Sequence, residues 1–147
     1  MLRDQGNLSA ALESYWAAHV IADRLAKSDP ANAGWQSDLG VTHEKIGDML
    51  LDQGDLPAAL DSYRASLAIR ERLAEADPAN AGWQHAIALS MQRVGFMAFR
   101  RGERDSARTA YERGHEIMRR LVAFAPDNTA FRRDLVWFEA RLAELKP

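Results

Sequence analysis

The sequence predicts an all-α fold, an α-α superhelix (solenoid) of about six antiparallel helices, and three observations lead to it. First, the octapeptide Asp-Pro-Ala-Asn-Ala-Gly-Trp-Gln occurs twice, at 29–36 and 77–84, a separation of 48 residues. Second, this period extends through the chain, because Tyr15, Tyr63 and Tyr111 recur at the same offset. Third, apolar residues recur at spacings of three and four, and no segment alternates apolar and polar residues as a strand would.

Each 48-residue period is expected to hold two helices joined by turns of only a few residues, which makes neighbouring helices antiparallel. Asp55 is the predicted N-cap of the third helix, and Pro57 stands in its first turn, where a missing N–H costs little. Asp77-Pro78 ends that helix, because the residue before a proline is disfavoured in the α region. The six helices are predicted at 7–28, 33–53, 55–76, 81–101, 103–124 and 128–145.

Asparagines and glycines mark the remaining helix ends. Asn32, Asn80 and Asn128 are expected to be turn or N-cap groups before the next helix, and Gly54 and Gly102 follow predicted C-termini. Two further glycines, Gly47 and Gly95, lie inside predicted helices, where glycine costs about 1 kcal/mol relative to alanine. Their recurrence indicates a close approach of two helices.

Composition excludes several classes of function. The chain has 147 residues, no cysteine and a formal net charge of -2, with 47% hydrophobic and 27% charged residues. Disulfides, thiolate nucleophiles and cysteine-based metal sites are therefore excluded. The near-neutral charge gives no overall attraction to nucleic acid or anionic lipid. No segment has the length of about 20 apolar residues that a membrane span needs, so no membrane partner and a cytoplasmic location are predicted.

Catalysis is not expected. The four histidines (His19, His43, His85 and His115) do not stand at metal-ligand spacings, and the position four residues after His43 is Gly47. The chain has no glycine-rich loop that could hold a phosphate, and its serines lie in predicted helices or at caps rather than on a nucleophile turn. We therefore predict no enzymatic activity, no cofactor and no bound metal.

The small residues and aromatics stand at a spacing that resembles tetratricopeptide repeats. In that family, a Gly or Ala in one helix is followed twelve residues later by a small residue and four further on by an aromatic. Two sets match this pattern: Gly47, Ala59 and Tyr63, and then Gly95, Ala107 and Tyr111. The aromatic that the family has four residues before the glycine is absent, since His43 and Met91 stand there.

The period of 48 residues exceeds the usual family period of about 34, so the resemblance is closest to the long-repeat, kinesin-light-chain-like type. It implies one tetratricopeptide-like repeat domain over 1–147, with a partial repeat at 1–53 and a full repeat at 54–101. The last repeat, 102–147, would end in a polar capping helix at 128–145.

The resemblance also implies a non-catalytic scaffold that binds a protein or peptide partner. In the family, the first helix of each pair lines a concave groove in which ligand peptides lie. Phe96 and Phe99 would be apolar anchors, and Glu44 and Asp48 would favour a partner with basic and apolar character. The Lys, Arg and Asn clamp that some members use for a terminal carboxylate is not matched. The expected groove residues are Val41, Glu44, Asp48, Leu51, Asp52, Leu89, Gln92, Phe96, Phe99 and Arg100.

Two alternatives stay open at this point. Residues 1–5 align with 49–53, the end of a helix whose body is missing, so the helix at 7–28 would lack a preceding partner. Either the chain is a piece of a longer array, or a second copy covers this helix and the protein is a self-associating spacer, a homo-oligomer formed through Leu8, Leu12, Tyr15 and Val20. Nucleic-acid binding is less favoured and would depend on Arg100, Arg101, Arg104, Arg108, Arg119 and Arg120.

Overall fold

The computed structural model describes the backbone of residues 2–146 and the side chains of residues 6–146. This part of the chain contains six α-helices and no strand, so the predicted all-α class is confirmed. The helices are α1 (Leu2–Ser28), α2 (Ala33–Asp52), α3 (Leu56–Ala76), α4 (Ala81–Arg100), α5 (Arg104–Phe124) and α6 (Thr129–Glu144).

The one large difference from the predicted bounds is the start of α1. We predicted that this helix begins at residue 7, and this is wrong, because α1 already includes residues 2–5 and runs through Gly6. Gly54 and Gly102 follow helix ends with φ of +83° and +77°, whereas Gly6 does not have a positive φ. A glycine in right-handed conformation costs only about 1 kcal/mol within a helix, so it does not by itself end one. Met1 lies outside the described residues.

Polar side chains fix the helix starts as predicted. Asn32, Asn80 and Asn128 each accept a hydrogen bond from the backbone N–H three residues later, at 3.0, 3.1 and 3.0 Å. The carboxylate of Asp55 accepts a bond of 3.2 Å from the N–H of Ala58. These bonds satisfy N–H groups that have no partner within the helix.

The chain divides into two compact units, Met1–Leu73 and Ala74–Pro147. In the first unit, α2 packs against α3 at the predicted close approach. A Cβ added to Gly47 would lie 2.7 Å from the ring of Tyr63, which is 2% exposed. Ile46, Leu60 and Ile69 are buried in the same unit. Glycine at position 47 therefore lets the two helices approach.

The second unit repeats this arrangement. The ring of Tyr111 on α5 lies against Gly95 on α4, and the ring of Phe138 on α6 lies against Gly114 on α5. Phe138 is fully buried, together with Met97 and Met118. Both close contacts predicted from the glycine, alanine and aromatic spacing are thus confirmed, one in each unit.

Candidate functional site

The groove residues predicted on α2 fall into two groups. Val41 and Asp52 are exposed and Leu51 is half-buried, so these side chains are accessible. Glu44 and Asp48 instead contact α3, as described next. The structure therefore presents a smaller accessible set on α2 than the five residues predicted there.

Two carboxylates of α2 are engaged within the fold. A carboxylate oxygen of Glu44 lies 2.6 Å from a guanidinium nitrogen of Arg70, and these side chains are only 14% and 11% exposed. The carboxylate of Asp48 accepts a hydrogen bond of 2.7 Å from the hydroxyl of Tyr63. Both groups thus connect α2 with α3. The resemblance to tetratricopeptide repeats assigned them to partner recognition. The repeat pattern gave no sign of the ion pair, because position 70 differs in every copy (Ala22, Arg70, Met118).

The residues predicted on α4 form one accessible stripe. Leu89, Gln92, Phe96 and Phe99 follow one another at spacings of three and four, which places them along one side of the helix. Leu89 and Gln92 are half-buried, whereas Phe96 and Phe99 are 40% and 41% exposed. The guanidinium of Arg100 lies 5.8 Å from the centre of the Phe96 ring. The α4 stripe, as we call these five residues, combines exposed aromatic surface with a cation.

The groove residues predicted on α2 and on α4 carry different chemistry at equivalent positions. Asp48 and Asp52 of α2 correspond to Phe96 and Arg100 of α4. Where Glu44 pairs with Arg70 in the first unit, Gln92 and the buried Met118 stand at the corresponding positions of the second. The second unit therefore carries exposed aromatic and basic side chains at positions where the first unit has Asp48 and Asp52.

The residues predicted for self-association are only partly accessible. Leu8, Leu12 and Tyr15 are half-buried, whereas Val20 is 54% exposed. Trp16, which sequence reasoning did not select, is 46% exposed. Its signal was available in the repeat, because Arg64 and Glu112 occupy the equivalent positions. Ile21 and Leu25 add further exposed apolar surface on α1.

The histidines lie in packing positions. The Nδ1 atom of His19 is 3.2 Å from the hydroxyl oxygen of Thr42, and its ring centre is 4.6 Å from that of His43. Burial lowers the pKa of His43, and the neighbouring His19 lowers it further, while Asp23 acts in the opposite direction. This cluster joins α1 to α2.

The other two histidines join helices of the second unit. The Nε2 atom of His85 lies 2.7 Å from the carboxylate of buried Asp134, which connects α4 with α6. His115 lies 3.6 Å from Glu139. Within residues 6–146 no group of three His, Cys, Asp or Glu side chains is arranged to hold a metal ion.

Several of the arginines considered for nucleic acid are engaged by neighbouring groups. The carboxylate of Glu116 binds Arg119 at 2.8 Å and Arg120 at 3.1 Å, and the hydrogen bond from Arg119 lowers the pKa of Glu116. Arg108 donates to the backbone carbonyl of Leu145 at 2.9 Å and to Asp105 at 3.1 Å. Arg101 lies 3.3 Å from Glu103. Such pairing reduces the local positive charge that phosphate binding requires.

Comparison with known proteins supports the repeat assignment. A family model described as Tetratricopeptide repeat matches residues 44–80, which extend from the second half of α2 through α3 to the cap of α4. No curated protein matched the chain. Among the described helices, none has the length and apolar character needed to cross a membrane. The match contains Gly47, Ala59 and Tyr63, one of the two sets on which the resemblance was based, and confirms it as a resemblance to the long-repeat, kinesin-light-chain-like type of tetratricopeptide repeat.

Proposed function

We propose that this chain is a non-catalytic protein-interaction module that holds a segment of a partner protein against the α4 stripe. Tetratricopeptide repeats suggest a protein-interaction scaffold as the general role. The observation that carries the more specific proposal is the exposure of two neighbouring phenylalanines, Phe96 and Phe99, beside Arg100. Aromatic and arginine side chains dominate the energetics of protein interfaces.

The exposed rings of Phe96 and Phe99 favour a partner with large apolar side chains. Both residues are partly covered by the protein before any partner binds. A partner that covers the remaining 40% and 41% of these side chains removes apolar surface from water, at about 25 cal/mol per Å². We therefore propose a segment with at least two large apolar side chains.

The charge expected of the partner depends on which charged groups of this chain are exposed. The expectation of a basic partner depended on Glu44 and Asp48, whose carboxylates already contact Arg70 and Tyr63. On α4 the exposed cation is Arg100, which favours an acidic group next to the apolar anchors. On α2, Val41 and Asp52 are exposed, and the exposed Lys45 between them offsets the charge of Asp52.

A peptide selection tests this proposal. Random 16-residue peptides on phage would be selected on the wild-type chain, synthesised, and titrated by fluorescence anisotropy against Phe96→Ala/Phe99→Ala. We expect the double variant to bind about tenfold or more weakly, because alanine at an aromatic anchor costs about 2 kcal/mol. The matched control is Phe124→Ala, which removes a phenylalanine that is 77% exposed in the same unit but outside the stripe.

The control and the double variant separate binding from folding. Neither change should lower the free energy of unfolding by more than about 1 kcal/mol, since the three rings are exposed to a large extent. Peptides that bind the Phe96→Ala/Phe99→Ala chain as tightly as the wild type would exclude the α4 stripe as the binding surface. A parallel loss with Phe124→Ala would show a non-specific apolar effect.

A further inference from the structure

The side of α1 that points away from the core carries an unusual row of side chains. Its members follow one another at helical spacings of three and four, and all are exposed. Ala22 and Ala26, on the opposite side of the helix, are buried. We call this row the outer stripe of α1: Glu13, Trp16, Val20, Arg24 and Lys27.

The outer stripe is apolar where the other copies of the repeat are polar or small. Trp16 is 46% exposed and Val20 is 54% exposed. These positions are solvent-facing in α3 and α5 as well, but there they carry Arg64 and Ala68, and then Glu112 and Glu116. Packing within a repeat therefore does not require large apolar groups at these positions. Their presence on α1 indicates that this side of the helix is covered by a partner.

The charges of the stripe are placed symmetrically about its centre. Glu13 precedes Val20 by seven residues and Lys27 follows it by seven. When two such helices cross in antiparallel orientation at Val20, Glu13 of one copy meets Lys27 of the second copy. A parallel pair would instead place Glu13 against Glu13 and Lys27 against Lys27, which is repulsive.

Trp16 and Arg24 are also placed symmetrically about Val20. Trp16 and Arg24 both lie four residues from Val20, so the antiparallel pair places each indole against a guanidinium of the second copy. An arginine over a tryptophan face is a favourable cation–π contact. Lys27 already contacts Asp23 at 2.8 Å, but its ammonium has three donors and can serve both carboxylates.

We propose that two copies of this chain associate through the outer stripes of α1 as an antiparallel, two-fold symmetric helix pair centred on Val20. Each contact then occurs twice, as in any isologous dimer. Of the residues first expected to mediate self-association, Val20 alone belongs to this surface, while Leu8, Leu12 and Tyr15 are half-buried elsewhere on α1. The dimer uses none of the α4 stripe, so it stands or fails independently of the proposed function.

Sedimentation equilibrium of the full 147-residue chain, from low to high micromolar concentration, tests the association. We expect a monomer–dimer equilibrium that Trp16→Arg/Val20→Ala weakens by at least about tenfold. This variant installs the residues of α3, Arg64 and Ala68, at equivalent exposed positions, so circular dichroism should show an unchanged helical fold. A chain that stays monomeric, or a dimer that the variant leaves intact, would overturn the proposal.

A charge exchange tests the register. Glu13→Lys alone and Lys27→Glu alone each place like charges together twice and should weaken the dimer about tenfold. The double variant Glu13→Lys/Lys27→Glu should restore it, because opposite charges meet again. Asp61→Lys, the matched change at the equivalent exposed position of α3, should leave the dimer unchanged. Absence of rescue in the double variant contradicts the antiparallel arrangement.

Because the chain has no cysteine, a single introduced thiol reports the centre of the contact. Val20→Cys should form an intermolecular disulfide under mild oxidation, since the two-fold axis brings position 20 against itself within disulfide reach. Ala10→Cys, exposed on α1 but outside the stripe, should remain monomeric on a non-reducing gel. Equal cross-linking of both variants would show random collision and exclude the proposed centre.

Discussion

At the scale of single residues, the two units have different side chains at the same packing positions. α2 and α3 are joined by the ion pair of Glu44 and Arg70, which is only 11–14% exposed. In the second unit, Gln92 and the buried Met118 occupy these positions. A mostly buried ion pair contributes little net stability, because desolvation of both charges offsets their attraction. The repeat itself thus offers a neutral replacement for the pair.

The first prediction concerns the replacement of Glu44 and Arg70. Arg70→Met leaves the Glu44 carboxylate without its cation and should lower the free energy of unfolding by about 3 kcal/mol. The double variant Glu44→Gln/Arg70→Met, which copies Gln92 and Met118, should return to within about 1 kcal/mol of the wild type. Urea denaturation measures both values. A double variant as unstable as Arg70→Met would show that the charges are not coupled.

The second prediction concerns the glycine that faces an aromatic ring. In Gly47→Ala the new methyl group would lie 2.7 Å from the buried ring of Tyr63, and overpacking of this kind costs about 1–3 kcal/mol. Gly6→Ala is the control, because no atom beyond its chain neighbours and its own helix backbone lies within 4 Å of an added Cβ, and the substitution improves helix propensity by about 1 kcal/mol. The two changes should therefore have opposite signs in urea denaturation. A stabilising Gly47→Ala would show that the helices can separate without cost.

At the scale of helices, the contact between α1 and α2 contains two histidines with ring centres 4.6 Å apart. Protonation of His43 would place a positive charge beside His19 in a partly buried site. Burial and the neighbouring His19 both act to lower the pKa of His43, with Asp23 as the opposing charge. The pairing of α1 with α2 is therefore expected to weaken in mild acid.

The third prediction is a pH dependence with a defined sign. The pKa of His43 is below its ordinary value of 6.5, so the unfolded chain binds this proton more tightly than the folded chain. The stabilisation is complete above pH 6.5 and decreases as the pH falls towards the lowered pKa. His43→Met, which copies Met91 of the second unit, should remove this decrease in urea denaturation between pH 7.5 and about 5. An unchanged slope would assign the pH dependence to other groups.

At the scale of the whole molecule, charge favours a protein partner over nucleic acid. The formal net charge is -2, and Arg101, Arg108, Arg119 and Arg120 all contact acidic side chains. Phosphate binding requires a local excess of cations, which these contacts reduce. The exposed aromatic residues of the α4 stripe are instead typical of protein interfaces.

The fourth prediction tests whether the chain binds nucleic acid. The wild-type chain should show no binding to a 20-base-pair DNA duplex in fluorescence anisotropy at 150 mM salt, up to about 100 µM protein, the weak limit of non-specific binding. Binding that becomes steeply stronger at lower salt would restore the nucleic-acid alternative. Arg119→Ala/Arg120→Ala is then the variant that should remove it.

Much of the fold was predictable because the same pattern of apolar and small residues recurs along the sequence every 48 positions. The helix bounds followed from Asn caps, prolines and glycines to within one or two residues, except at the start of α1, where Gly6 continues the helix instead of ending it. The contact of Gly47 with Tyr63 followed from spacing alone. The accessible site was only partly predictable, since the repeat shows which positions are equivalent but not which side chains they contact.

The sequence by itself determined the all-α class, the order of the helices and the glycine–aromatic contacts, because these depend on local propensity and on residues that recur every 48 positions. Only the tertiary structure decided that Glu44 and Asp48 bind Arg70 and Tyr63, whereas Phe96 and Phe99 remain exposed. The physical reason is that a carboxylate pairs with whatever cation or hydroxyl donor lies across the helix interface. That neighbour belongs to another helix, and the periodicity of one helix does not specify it.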